Sequence, residues 1–274
     1  MRRIIFTIAL VLVCTGAFAQ KFSWERVIMD GSRTGVVACS ADNVDEALGI
    51  IDGSRYTSPS GRVFDKGVTP EVAALLIGAQ KQMAEVKQVI AYSTRPMLRY
   101  RPECELSDWF VDALMRAAEE KSGRKVSFGI VNFGGIRVDM PQGDVLLDDI
   151  MSMFPFKNNL CYLELQGKDL KALLEQLAAT RWQATGGVRC VVKDGRLVSA
   201  EIDGRPLEDD KLYGVATISF LLDGGDGISV ARNCRNLEIY DEYVLDVILP
   251  YVKSLTAAGK PIEYSVDGRI RIIE

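Results

Sequence analysis

The sequence contains no histidine. That removes the commonest ligand of a catalytic metal and the commonest general base at neutral pH. It also contains no Cys-x-x-Cys pair, so the pattern of a structural zinc site is missing as well. There is no surplus of positive charge: 33 Lys and Arg stand against 37 Asp and Glu, a formal net charge of −4. Such a chain lacks the basic footprint of a general nucleic-acid binder. Beyond its first residues it has no apolar run approaching the ~20 residues that a membrane-spanning helix takes.

What is present begins with an export signal. Arg2 and Arg3 form a basic start, Ile4 to Val13 is almost unbroken apolar sequence, and Ala17-Phe18-Ala19 supplies the small-residue cleavage pattern. The expectation is a signal peptide over residues 1–19, cut after Ala19, and a periplasmic or secreted mature protein. A lipoprotein cut at Cys14 fits less well, because Val13 stands where a small residue belongs. Losing Arg2 and Arg3 moves the formal charge from −4 to −6. The remaining length supports a sizeable core. Cys39, Cys104, Cys161, Cys190 and Cys234 are odd in number and widely spaced, so export permits disulfides without dictating a pairing.

Residues 20–68 are turn-rich, with Asp-Gly-Ser-Arg at 30–33 and again at 52–55. Thr69-Pro70-Glu71 opens a helix on which Val72, Leu75, Leu76, Ala79, Met83 and Val86 keep helical spacing. Residues 20–92 read as a lead segment and 93–274 as the main domain. In the latter the pattern predicts a helix from Leu106 to Lys121 capped by Ser107 or Asp108, and a buried strand over 126–131. A strand over 160–165 precedes an amphipathic helix with Leu170, Leu173, Leu174 and Leu177 on one face. Asp194-Gly195 and Asp203-Gly204 are hairpin turns. A strand over 212–219, a helix capped by Asp241 and a closing strand over 269–273 complete an α+β domain, a mixed β-sheet with flanking helices.

Three motifs carry the chemistry. In Phe220-Leu221-Leu222-Asp223-Gly224-Gly225-Asp226-Gly227, glycines on both sides leave the Asp226 carboxylate free to meet a ligand, and ribose hydroxyls suit it. A plain tight turn fits the spacing equally well. In Asn132-Phe133-Gly134-Gly135-Ile136-Arg137, the guanidinium of Arg137 offers a planar fork for oxyanions or vicinal hydroxyls, or is simply a surface arginine. In Phe154-Pro155-Phe156-Lys157-Asn158, the phenylalanines are core residues or, for Phe156 with Phe220, the two sides of a clamp on a flat ring. Stacking of a base on an aromatic is worth roughly 1–3 kcal/mol. Asn158 both donates and accepts, as the edge of a base requires. The pairs Asp148-Asp149 and Asp209-Asp210 read as caps and solvated charge rather than a metal site.

The order Glu103-Cys104-Glu105-Leu106, Asn132-x-Gly-Gly-Ile-Arg137, Pro155-Phe156-x-Asn158, Leu165-x-Gly167-x-x-Leu170 and Phe220-Leu-x-x-Gly-Gly-Asp226-Gly resembles the C-terminal, substrate-specificity domain of the 5′-nucleotidase family, over roughly residues 95–273. The resemblance implies that Phe156 and Phe220 stack on the two faces of a nucleobase and that Asn158 contacts the base. It implies that Asp226 binds ribose hydroxyls and that Asn132 and Arg137 line the pocket near ribose and phosphate. The family's upstream arginines fall near Arg99 or Arg101. Phe133 and Lys157 each replace a usual glycine, and Lys157 beside the stacking ring favours a more anionic ligand or a narrower pocket.

Family enzymes place two metals in an N-terminal metallophosphatase domain rich in Asp, Asn and His, for which this chain has neither room nor histidine. The expectation is therefore an exported nucleotide- or nucleoside-binding subunit of a split 5′-nucleotidase. It binds no cofactor and no metal itself, and it hydrolyses nothing in isolation. Divalent metals come with a separate metallophosphatase chain. The alternatives are a stand-alone nucleoside or nucleotide binder and a degenerate interaction module. No nucleic-acid partner and no membrane span are expected.

Overall fold

The computed structural model describes Cys39 and residues 42–273. The expected signal peptide, its cleavage site and the first Asp-Gly-Ser-Arg tetrapeptide lie outside these residues. Two compact units divide at Ile77/Gly78. In the first, α1 (Val44–Leu48) precedes an antiparallel sheet of β1 (Ile50–Asp52), β2 (Arg55–Thr57) and β3 (Val63–Phe64). The helix α2 (Val68–Met83) opens at Thr69-Pro70-Glu71, as its proline near the first turn dictates. Its Val72 and Leu75 are exposed, and with Ala47, Leu48, Tyr56, Val68 and Ala73 the helix borders an apolar groove of about 410 Å³ within this unit.

The second unit carries β4 (Val89–Ser93), α3 (Glu105–Ser122), β5 (Phe128–Val131), β6 (Gly143–Leu146), α4 (Leu147–Met153), β7 (Asn159–Gln166) and α5 (Gly167–Ala179). After these come β8 (Ala184–Gly186), β9 (Val188–Lys193), β10 (Arg196–Ile202), β11 (Arg205–Pro206), β12 (Leu212–Ile218), β13 (Arg235–Tyr243), α6 (Val244–Ala257) and β14 (Ile270–Ile273). Strand β4 pairs with β6, so it straddles the 92/93 division read from the sequence. The central sheet has the order β13-β7-β12-β5-β8, mixed in direction, and a second sheet runs β11-β10-β9-β14. This is the expected α+β architecture, a mixed sheet with flanking helices.

The central sheet is buried because its strands are apolar on both faces: all four residues of β5 and six of the seven in β12 are buried. Helix α3 lies close against it. Gly129 and Gly186 pair across β5 and β8. A Cβ at either would come within 2.8 Å of the Val111 or Met115 side chains of the helix. On α5, Leu170, Leu173, Leu174 and Leu177 are all buried, each worth roughly 1.5–3 kcal/mol over exposure. The hairpin turns hold at Asp194-Gly195 and Asp203-Gly204, where both residues of each pair have positive φ.

Two caps differ from the sequence reading. Helix α3 is capped by Cys104, whose sulfur accepts from Ser107 N while Ser107 Oγ accepts from Cys104 N. Ser107 thus sits three residues inside the helix, and a buried thiol takes the role expected of an oxygen. Helix α6 begins after Tyr243, and Asp246 takes the Tyr243 N–H at 2.9 Å. Asp241 belongs to β13, because pairing of that strand with β7 runs on to Tyr243. Cys104, Cys161, Cys190 and Cys234 are free thiols. Burial pushes Cys161 and Cys190 up to about 12, which keeps them protonated and inert.

Candidate functional site

The strand directions bring the three motifs to one end of the central sheet. Strands β5 and β12 are parallel neighbours, so the loops that leave their C-terminal ends, residues 132–137 and 219–227, emerge side by side. Strand β7 is antiparallel to β12, with Leu160 opposite Ile218, so the segment 154–158 enters at that same end. Neighbouring strands stand about 4.8 Å apart, which sets the spacing of the motifs.

Hydrogen bonds tie the loops together. Arg137 N donates to Met153 O at 3.0 Å, joining the first motif to the second. Asn159 N donates to Ser219 Oγ at 3.0 Å, joining the second to the third. Phe133 N donates to Gln183 Oε1 at 2.8 Å, fastening the first motif to the segment before β8. Gln176 on α5 donates from Nε2 to Gly227 O at 2.8 Å, bracing the loop that holds Asp226.

The two phenylalanines of the second motif part company. Phe154 is 3 % exposed and stacks on Phe110 at 4.3 Å, a core residue. Phe156 is 46 % exposed and Phe220 43 % exposed, and neither stacks on another aromatic ring among the described residues. Phe156, Asn132 and Asn158 share the lining of a small hollow of about 10 Å³. Asn132 is 8 % exposed, yet its Oδ1 has no hydrogen-bond partner among the described residues. A buried acceptor left open costs stability unless something supplies a donor.

Asp226 is exposed and adopts φ 52°, between Gly224 and Gly227 at φ 88° and 74°. The loop is closed by Gly224 N to Ile228 O at 2.8 Å and Gly227 N to Gly224 O at 3.0 Å. A Cβ at Gly225 would fall 2.0 Å from Phe220 O and 2.9 Å from its ring. The second glycine therefore seats Phe220, while the other two shape the turn under the carboxylate.

The arginines divide. Arg99 gives its N and Nε to Asp139 Oδ1 and its Nη1 to Ile136 O, so it braces the first motif from beneath. Arg101 lies with its guanidinium 4.4 Å from the centre of the Phe133 ring and donates from Nε to Trp182 O at 3.0 Å. Burial lowers its pKa, Arg181 lowers it further, and Asp226 opposes both. Arg137 lies 5.7 Å from the Phe156 ring centre. Lys157 is exposed. The sequence motifs did not single out Gln176, Arg181 or Gln183. The run Arg181-Trp182-Gln183 directly before β8 was the one visible signal of Arg181 and Gln183.

The acidic pairs of the sequence lie in local structure. Asp149 accepts from Leu146 N at 2.7 Å at the start of α4. Among the described residues, the one group of carboxylates close enough to share a cation is Glu103, Asp108 and Asp267. Glu103 is filled by the backbone N–H groups of Asp267, Gly268 and Ile270, and Arg269 Nε lies 3.5 Å from Asp108 Oδ2. A guanidinium already holds the place of the metal. A cavity of about 670 Å³ lies beside this cluster and away from the motifs, with Asp112, Arg116, Tyr251 and Tyr264 in its wall. No helix among the described residues is long and apolar enough to cross a membrane.

A family model described as 5′-nucleotidase, C-terminal domain matches residues 82–233, more than half of the chain. An apyrase of Tabanus yao is 28% identical over 198 residues, covering 63% of this chain and 35% of its own. A cell wall protein of Listeria monocytogenes is 30% identical over 203 residues, 67% of this chain and 26% of its own. The crystal structure of a 5′-nucleotidase precursor from Thermus thermophilus matches with a TM-score of 0.66 and 24% identity, over 79% of this chain and 45% of that one. That last likeness is one of fold. The chain spans about a third or less of the length of these two curated relatives.

Proposed function

The chain belongs to the family of 5′-nucleotidase C-terminal domains, and on that premise we propose that it is the nucleotide-recognition subunit of a split, exported 5′-nucleotidase. In this reading Phe156 and Phe220 take the two faces of the base and Asn158 meets its edge. Asp226 accepts the ribose hydroxyl protons. Asn132, Arg101 and Arg137 meet the ribose and phosphate end, with Arg99 holding the first motif in place. The attacking water and its two metals belong to a separate metallophosphatase chain, since two-metal hydrolysis needs a clamp of ligands on both ions. The isolated chain binds and does not hydrolyse. Export rests on the basic, apolar and small-residue pattern of residues 1–19.

The observation that carries this reading is the pair of half-exposed phenylalanines on neighbouring strand ends, with Asp226 raised in the loop beside one of them. Two half-exposed rings gathered at one end of a sheet offer faces on which a flat ligand can stack. The open Oδ1 of buried Asn132 adds a second unsatisfied group at the same sheet end.

Calorimetric titration of the purified protein with adenosine and AMP tests the recognition step. Phe220→Ala weakens both, by the roughly 1–3 kcal/mol that one stacked base contributes. A phosphate-release assay tests the division of labour: AMP is hydrolysed only when a metallophosphatase chain is added. No binding by the wild type refutes the recognition role. Rapid hydrolysis by the purified chain alone refutes the split.

A further inference from the structure

The strand order does more than gather three motifs; it ranks them along a line. Across the sheet run β7, β12, β5 and β8. Phe156 precedes β7, Phe220 and Asp226 follow β12, and Asn132 and Arg137 follow β5. Strand β8 is antiparallel to β5, with Ala184 opposite Val131, so the residues just before β8 emerge at this same end. The residue that stands there is Arg181.

That position is rigidly built. Trp182 is 4 % exposed and donates from Nε1 to Thr185 Oγ1 at 3.1 Å. Gln183 is 5 % exposed and receives the Phe133 N–H. Trp182 O receives the Nε of Arg101. Arg181 itself is exposed and makes no ion pair or side-chain hydrogen bond among the described residues. Two guanidiniums are thus held close, on a frame that fixes one of them to the neighbour of the other. Like charges brought together repel, unless an anion lies between them. Arg101 feels both Arg181 and the Asp226 carboxylate, which places each of them within electrostatic reach of Arg101.

We propose that Arg181, with Arg101, forms an anion subsite over β5 and β8 that makes this pocket select nucleoside phosphates over nucleosides. The proposal rests on the reading of Phe156, Phe220 and Asp226 as the nucleoside site. A base between β7 and β12, with its ribose at Asp226, sends its phosphate end along the sheet toward β5 and β8. A nucleoside ends before it reaches Arg181, and a nucleotide arrives there with the charge that Arg101 and Arg181 lack. A planar guanidinium suits phosphate oxygens better than a point charge does.

Adenosine, AMP and ADP are titrated calorimetrically into the wild type, Arg181→Gln, Arg181→Lys and Phe220→Ala at two salt concentrations. Arg181→Gln weakens AMP and ADP roughly tenfold, as the loss of a charge-assisted contact does, and leaves adenosine unchanged. Arg181→Lys keeps part of the phosphate preference. The salt dependence of AMP binding flattens in Arg181→Gln, because exposed ion contacts are screened. Unchanged AMP and ADP affinities overturn the proposal, and so does an equal loss for adenosine, while the Phe220→Ala arm keeps the nucleoside site standing in either case. A wild type that binds none of the three ligands overturns the nucleoside reading and this proposal together. Arg181 is exposed, so the variants keep the wild-type melting temperature, and a fall in it exposes a structural role instead.

Discussion

Two sets of arginines in this protein meet opposite fates. Arg269 is 6 % exposed and saturated: its Nη1 and Nη2 meet Asp112 at 2.9 and 3.0 Å, and its Nε meets Asp267 at 3.1 Å. Tyr264 donates to the same Asp112, and Glu103 takes three backbone N–H groups alongside. At the motif end of the sheet, Arg137 and Arg181 have no acid to pair with among the described residues. The exposed ring of Phe156 lies 5.7 Å from Arg137, and Phe220 is exposed at the same end of the sheet. The first cluster uses charge to hold a fold; the second keeps charge and aromatic surface open. Where a charged group has all its partners, it explains structure. Where it has no acid to pair with and is fixed by its frame, it asks for a ligand.

The comparison breaks hardest at Arg269. Arg269→Met strands the Asp112 carboxylate beside a buried apolar side chain. Removing one partner of a buried ion pair costs about 3–5 kcal/mol, read as a lower midpoint in urea unfolding. Arg181→Gln changes that midpoint little, since exposed charges contribute little to stability.

The Arg269 cluster also has a pH signature. Burial raises the Asp108 carboxyl to about 8; Arg269 opposes the shift, and Glu103 and Asp112 add to it. An acid whose pKa is raised by folding stabilises the fold most below the unfolded value near 4. That contribution declines as pH climbs from there to about 8 and is gone above it. Unfolding free energy measured against pH therefore falls over this window, and Asp108→Asn flattens the fall. A flat wild-type profile contradicts the assignment.

Within the open cluster, Phe220→Ala reduces nucleotide affinity about 5- to 150-fold, the equivalent of roughly 1–3 kcal/mol, without lowering stability. Gln176→Ala is the mildest change. It removes one exposed hydrogen bond that braces the Asp226 loop at Gly227 O. Net hydrogen-bond contributions of about 0.5–1.5 kcal/mol imply a loss of affinity of a few-fold. A loss that spares stability marks Gln176 as a positioning residue.

Much of the fold was legible because it follows local periodicity. The leucines of α5, the Asp-Gly turns and the apolar strands β5, β7 and β12 all declare themselves within a few residues. What stayed hidden depends on contacts made across the chain. The cap at Cys104 required knowing that a thiol would be buried against Ser107, and Arg269 meets Asp112 across 157 positions. The stripe on α2 was plain, yet periodicity does not say what covers it, and Val72 and Leu75 stand exposed. Asn132, Phe156, Asn158, Phe220 and Asp226 were visible because their glycine and aromatic neighbours form recognisable motifs. Arg181 was not, because only the order of strands brings it to the motif end.

The most direct test of this account maps AMP binding on the amide resonances of the purified protein by NMR. The account predicts shifts confined to residues 132–137, 154–158, 181–183 and 219–227, with the Arg269 cluster silent. Shifts centred instead on Arg116, Arg189 and Tyr251 around the 670 Å³ cavity, with Phe156 and Phe220 unmoved, would contradict it.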